Sequence, residues 1–156
     1  EGSIGLDLAI DYLRLKRIIV PGAIEAEHLK ILRQENANAQ IQMLGENWSA
    51  EGQLFCPGQK NEFVELELPA IEPGTYDLAI YFTKSWDYAI VRLSLNDEAL
   101  GEFDTYAPQV EWGGPTPLGT FQLTRGPQRL RVDVAGRNPL SKGILIGIDC
   151  VTLRRK

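Results

Sequence analysis

FVELELPAIEPGTYDLAIYFTKSWDYAIVRLSLND, Phe63 to Asp97, is the stretch that decides the fold. Val64, Leu66 and Leu68 alternate with Glu65 and Glu67. Pro73-Gly74 then turns the chain into Tyr76, Leu78, Ile80 and Phe82, with Asp77 and Thr83 polar. Ala89, Val91, Leu93 and Leu95 alternate with Arg92 and Ser94 before Asn96-Asp97. Successive side chains on a strand point to opposite faces, so a period of two marks strands with one face in a core and one toward water. The turn residues between the runs join them as antiparallel neighbours, and Asn-Asp is a short hairpin connection.

Downstream the pattern resumes. Phe121 and Leu123 lead to Arg125-Gly126-Pro127, after which Leu130, Val132 and Val134 alternate with Arg129, Arg131 and Asp133. One segment, Glu27 to Gln34 (EHLKILRQ), has helical spacing, for at most about two turns. Many short strands with Gly and Pro punctuation predict an all-β chain: an antiparallel β-sandwich of jelly-roll type. Between the strands lie segments rich in aromatics and glycine: Gly45 to Gly52 (GENWSAEG), Thr83 to Tyr88 (TKSWDY) and Asp104 to Leu118 (DTYAPQVEWGGPTPL). All three tryptophans fall in them, and Gly113-Gly114-Pro115 reads as a turn. A loop indole either plugs the core from above or offers a flat apolar face to a ligand.

The two ends of the chain resemble each other. Ser3 to Leu15 (SIGLDLAIDYLRL) recurs as Ser141 to Leu153 (SKGILIGIDCVTL), with Ser, Gly, Ile, Asp and Leu coincident. In both copies apolar residues hold every second position up to an Asp, after which the apolar face switches. That is a strand with a bulge-like change of face. Such a repeat predicts that residues 1–20 are the closing strand of a preceding similar module plus a short linker, and that 21–156 form the sandwich.

Composition narrows the function. The chain has 156 residues, 44% of them hydrophobic, enough for one core. A net charge of -5 with scattered Lys and Arg argues against a nucleic-acid partner. Apolar runs of a few residues argue against membrane insertion. Cys56 and Cys150 are the only cysteines and lie far apart, which excludes a zinc site on ligand count. Cys150 takes an inward-alternating position and reads as a buried thiol. His28, the single histidine, follows a Glu-rich strand end and reads as a surface residue. No nucleophile elbow, glycine-rich phosphate loop or HExxH occurs, and 21 acidic residues make chance carboxylate pairs plentiful.

Ile24 to His28 (IEAEH), the closing Ile146 to Leu153 (IGIDCVTL) and the intervening strands resemble carbohydrate-binding modules of families 6 and 35. These are galactose-binding-like β-sandwiches appended to glycoside hydrolases and related secreted enzymes. FVELELP, GTYDLAIYFT and DYAIVRLSL also resemble modules that follow the catalytic part of large secreted polysaccharide-degrading proteins. The resemblance implies a location that is secreted, periplasmic or at the cell surface, with polysaccharide or oligosaccharide and the other domains of a parent protein as partners.

In those families a Glu-x-Glu on the first strand and an Asp on the last hold structural calcium, and the matching residues here are Glu25, Glu27 and Asp149. Period two puts both glutamates on one face, and three such carboxylates repel unless a hard cation with oxygen ligands neutralises them. An ordinary polar edge-strand face is the competing reading. Asp11, the repeat partner of Asp149, lacks a local Glu-x-Glu and is assigned no metal. The family's sugar sites stack one or two aromatics on a pyranose face beside hydrogen-bonding groups. The candidates are Trp48, Trp86, Tyr88, Tyr106 and Trp112, with Asp87, Asn138 and Lys142 as polar partners. Asn138 departs from the family's spacing, since it precedes Asp149 by a longer stretch. Packing over the sandwich end is the alternative role for each aromatic. The expected function is a non-catalytic carbohydrate-binding module; the alternative is a structural or interaction sandwich that packs on a catalytic neighbour or mediates oligomerisation.

Overall fold

A computed structural model describes residues 20–58 and 60–156. The duplicated strand Ser3 to Leu15, with Asp11, lies outside the described residues. Among the described residues eleven strands follow in order: β1 Ile24–Glu25, β2 Lys30–Glu35, β3 Gln40–Met43, β4 Gly52–Cys56, β5 Phe63–Ile71, β6 Gly74–Lys84, β7 Ala89–Leu95, β8 Glu98–Asp104, β9 Glu111–Leu123, β10 Gly126–Arg137 and β11 Ile146–Arg155. They form two antiparallel sheets, one ordered β3-β4-β11-β6-β9 and the other β2-β5-β10-β7-β8. Consecutive strands cross from one sheet to the other except at the β3–β4 and β7–β8 hairpins. Apart from β3 and β2, the strands of the two sheets, β4-β11-β6-β9 and β5-β10-β7-β8, have the strand order of a jelly roll.

The alternation visible in the sequence is the core. Leu54, Leu78, Ile80, Phe82, Ile146 and Ile148 of the first sheet meet Val64, Leu66, Leu68, Val91, Leu93, Leu130 and Val132 of the second, all at most 3% exposed. Each such side chain contributes about 1.5–3 kcal/mol of transfer free energy. The β7–β8 turn has Asn96 and Asp97 at φ 50° and 73°, the two positive values a tight hairpin needs.

Three local expectations differ from the structure. Glu27 to Gln34 is not a helix: Ala26–His28 is a 3-10 turn and Lys30–Glu35 is strand β2. Leu66 of β5 draws its partner Ile31 into a ladder, and tertiary pairing overrides a pattern two turns long. The stretch read as one loop, Asp104 to Leu118, is mostly strand β9, which pairs with β6 from Lys84↔Glu111 to Gly74↔Leu123. Prolines 115 and 117 are tolerated because β9 is the sheet edge, and Gly114 and Gly119 take φ 64° and 133° in it. Cys150 is fully buried but faces outward from the first sheet, because the face switch precedes it: its partner is Tyr81, whereas Val151 opposes core Ile80. His28 is exposed, as its place after a strand end implies.

Candidate functional site

The sequence candidates fall into two groups. The first surrounds the face switch in β11. Ile148 pairs with Phe82 and Cys150 with Tyr81, so Asp149 is the additional residue of a bulge, unopposed in β6. On the other edge of β11, Ile24 and Glu25 pair with Val151 and Cys150, which places Glu25 beside the bulge. Glu27 follows in the 3-10 turn, so the two glutamates do not share a strand face, yet both are buried. The loop between β3 and β4 closes over them. It is pinned by Leu44 and Gly45 N–H groups donating to the Glu51 carbonyl.

Ser49, from that loop, serves two carboxylates at once. Its backbone N–H donates to Asp149 Oδ1 at 3.0 Å and its hydroxyl to Glu25 Oε1 at 2.7 Å. The Trp112 indole N–H donates to Asp149 Oδ2 at 2.9 Å. Glu25 Oε2 is buried and accepts no hydrogen bond from the described residues. Burial pushes the Asp149 carboxyl up to about 6 and the Glu25 charge adds to this, while the donors oppose it. The Cys150 thiol is pushed up by burial and then by Asp149, Glu25 and Glu27, an electrostatic field that all three carboxylates share. As the side chains lie, no three His, Cys, Asp or Glu among the described residues close into a metal-holding group.

Two candidate aromatics belong to this region. Trp48 is 8% exposed, with its indole N–H on the buried Thr83 hydroxyl at 2.8 Å. That is a plug sealing the sheet. Trp112 stacks on Tyr81 with ring centroids 5.6 Å apart and planes 18° apart.

The other six candidates come together at one end of the sandwich. The β6–β7 loop is held from both sides. Ser85 N–H donates to the Thr105 carbonyl and Ala107 N–H to the Ser85 carbonyl, while Lys142 N–H donates to Trp86 and Leu145 N–H to Asp87. The Ser141 hydroxyl donates to the Tyr88 carbonyl at 2.9 Å, and the Asn138 side-chain amide to Asp104 Oδ2. A Cβ on Gly143 would lie 2.6 Å from the Asp87 carbonyl oxygen, so the approach requires glycine. Trp86, Asp87, Tyr88, Tyr106, Asn138 and Lys142 therefore share one rigid loop cluster.

Within it the roles differ. Trp86 is 43% exposed, and Lys142 is exposed beside it in the backbone pairing. Asp87 accepts the Ser85 hydroxyl at 2.5 Å. Tyr88 is buried, its hydroxyl receiving the Gln53 amide at 3.1 Å, and burial raises it to about 12. Below Trp86 opens a cleft of about 230 Å³ lined by Gln42, Leu44, Phe55, Tyr88 and Val110. Sequence reasoning missed Ser49, Thr83 and Ser141, hydroxyls whose partners are remote in sequence. It also missed Tyr81, whose outward position on β6 was legible.

No family model and no curated protein sequence matches the chain. Solved structures do. A xanthan lyase from Paenibacillus superposes with TM-score 0.78 at 26% identity over 89% of this chain and 14% of that one. A family 35 carbohydrate-binding module from an environmental isolate matches with TM-score 0.58 at 13% identity over 84% of this chain and 90% of that one. A β-(1,4)-mannanase of Podospora anserina that carries a family 35 module matches with TM-score 0.57 at 15% identity, covering 86% and 27%. The chain thus spans about a seventh of the xanthan lyase's length, and its fold is the all-β sandwich of the family 35 module.

Proposed function

We propose that this chain is a non-catalytic carbohydrate-binding module that directs a larger, secreted, glycan-degrading protein to polysaccharide. The observation that carries the reading is Trp86: an indole left 43% exposed on a loop that five backbone hydrogen bonds and a buried Ser141 hydroxyl hold rigid. Ordering a loop on binding costs conformational entropy, and here that cost is met by the fold itself. An indole face stacks on the C–H face of a pyranose, while Tyr106, Asn138, Asp87 and Lys142 border it with hydrogen-bonding groups. The kinship of fold with a family 35 module and with part of a xanthan lyase supports the same reading.

Calcium is the proposed structural cofactor. Glu25 Oε2 is a buried acceptor without a donor among the described residues, and the Asp149 carboxyl is pushed up by burial and by Glu25. A hard cation favours carboxylate oxygens, so Glu25, Glu27 and Asp149 would hold it, and it would neutralise their mutual repulsion. Ser49 then keeps the covering loop closed on the pair.

Burial of Trp48 and Tyr88 favours one competing reading, a structural sandwich that packs against a neighbouring domain. Presenting the protein to an array of plant, algal and microbial polysaccharides distinguishes the two. Saturable binding to a subset of glycans is expected. Absence of binding to every glycan, by a protein that is folded and calcium-loaded, would leave the structural reading.

A further inference from the structure

The cleft below Trp86 is built mainly of carbon. Leu44, Phe55, Val110 and Leu145 line it with the rings of Trp86 and Tyr88, and its polar members are Gln42, Ser85 and Asp87. At about 230 Å³ it has room for one sugar residue and is smaller than the pockets that enclose drug-sized ligands, roughly 300–1,000 Å³.

The polar members are not equivalent. The Ser85 hydroxyl donates to Asp87 Oδ1 at 2.5 Å, so its proton is already used within the loop. Gln42 is held from below. It pairs with Gln53 across β3 and β4, and because the next pair, Ile41 and Leu54, includes a core residue, both glutamines lie on the outer face of the first sheet. Gln53 is fully buried, and both protons of its amide nitrogen are engaged, one by Gln42 Oε1 at 2.6 Å and one by the Tyr88 hydroxyl at 3.1 Å. Gly147 makes room for this amide, since a Cβ there would lie 2.3 Å from Gln53 Oε1. The buried clamp on the Gln42 oxygen decides which way its amide points. With Oε1 turned to Gln53, the Nε2 group keeps two N–H donors that are unengaged among the described residues, on a side chain that lines the cleft.

A bare sugar residue fits such a cleft poorly. Hydroxyls surround its rim, each needs a partner once water leaves, and most of the lining here is carbon. An acetyl substituent has the opposite needs: a methyl to bury and one carbonyl oxygen to receive a hydrogen bond. We propose that the cleft is an acetyl-group subsite, in which a sugar ring lies on Trp86, its acetyl methyl packs among Leu44, Phe55 and Val110, and Gln42 Nε2 donates to the acetyl carbonyl. The inference rests on the carbohydrate-binding reading above and names the glycan class, with Gln42 as the residue that selects it. An acetamido group carries an additional N–H, for which Asp87 Oδ2 is the acceptor; an O-acetyl ester carries none.

Calorimetric titration of the parent and of Gln42→Glu tests this with matched probes: O-acetylated glucomannan against the same polymer saponified in mild alkali, and chitohexaose against cellohexaose. The carboxylate of the variant still accepts the Gln53 proton, so clamp and fold remain, but it has no proton for a carbonyl. Burying a methyl is worth about fourfold in affinity and a hydrogen bond about fivefold, so the parent should bind the acetylated member of at least one pair roughly tenfold tighter. Preference within the ester pair alone identifies an O-acetyl group, and within the chitohexaose pair alone an acetamido group. In Gln42→Glu that preference should shrink about fivefold. Equal affinity within both pairs, an undiminished preference in Gln42→Glu, or binding only to glycans outside these pairs would overturn the proposal and leave a sugar site at Trp86. Absence of binding to every glycan would remove the carbohydrate reading and the acetyl subsite with it.

Discussion

Stability of the metal-free protein should fall as pH rises from 4 to 7, and Asp149 sets the amount. Its carboxyl is raised to about 6 in the folded protein, first by burial and then by Glu25, against about 3.9 in an unfolded chain. Between these values the folded state holds a proton that the unfolded state has released, so stability is greatest below pH 4 and is lost as pH passes through 6. A difference of about two units corresponds to roughly 3 kcal/mol. For a domain of this size that is a fall in Tm of roughly 6–12 °C. Asp77 runs the other way, held low by the Thr120 hydroxyl and Lys156, but it lies at the surface where solvent screens it. Thermal unfolding in chelator at pH 4, 5, 6 and 7, for the parent and Asp149→Asn, isolates the effect. The variant should lack most of the fall. Calcium should raise Tm at pH 7, where the site is charged, through about 2.7 kcal/mol of added stability at a hundredfold excess over Kd, and by little at pH 4. Parallel pH profiles for parent and variant would refute the electrostatic reasoning, and a Tm at pH 7 indifferent to calcium would remove the cation from the account.

Further outcomes follow from single contacts. Trp48→Phe keeps the plug but strands the buried Thr83 hydroxyl; it should cost about 1–2 kcal/mol in denaturant unfolding and leave glycan affinity unchanged. Gly147→Ala sets a Cβ 2.3 Å from Gln53 Oε1 and 2.7 Å from the Tyr88 ring. It should destabilise by about 1–3 kcal/mol through overpacking, measured in the same way, and a neutral substitution would show that Gln53 and Tyr88 are free to move. Cys56 is buried, its thiol pushed up to about 12 by burial and by Glu62, and Cys150 is raised by burial and Asp149. Neither should react with a thiol-disulfide reagent until the protein unfolds, and rapid labelling of the native protein would contradict their placement.

The strands that carry the core were legible because a half-buried sheet imposes a period of two that little else produces, as in Leu66, Leu68, Leu78 and Ile80. The Asn96-Asp97 hairpin was legible from its chemistry, and the face change after Asp149 from a switch in the apolar set. Strand β9 was not: Gly113, Gly114, Pro115 and Pro117 are turn residues by local preference, tolerated at an edge where one side of the backbone needs no partner. Strand β2 was hidden for a related reason, since Leu29, Ile31 and Leu32 fit a helix as well as a bulged strand. At the site, residue types pointed to the right loops but could not sort buried from exposed aromatics. Trp48 and Trp86 each sit beside a serine in a polar stretch, and only the distant Thr83 hydroxyl makes one a plug. The Ser49 bridge to Glu25 and Asp149 was equally invisible, because its partners are far away in the chain.

Calorimetric titration of the best glycan from the array into the parent and into Trp86→Ala tests the central claim most directly. The substitution removes an exposed ring and should leave Tm unchanged, since a surface side chain away from the core carries little stability. Affinity should fall at least tenfold, the equivalent of about 1.4 kcal/mol of lost stacking. Equal affinity in the two proteins would contradict the account, because the sugar would then lie somewhere other than the loop cluster around Trp86.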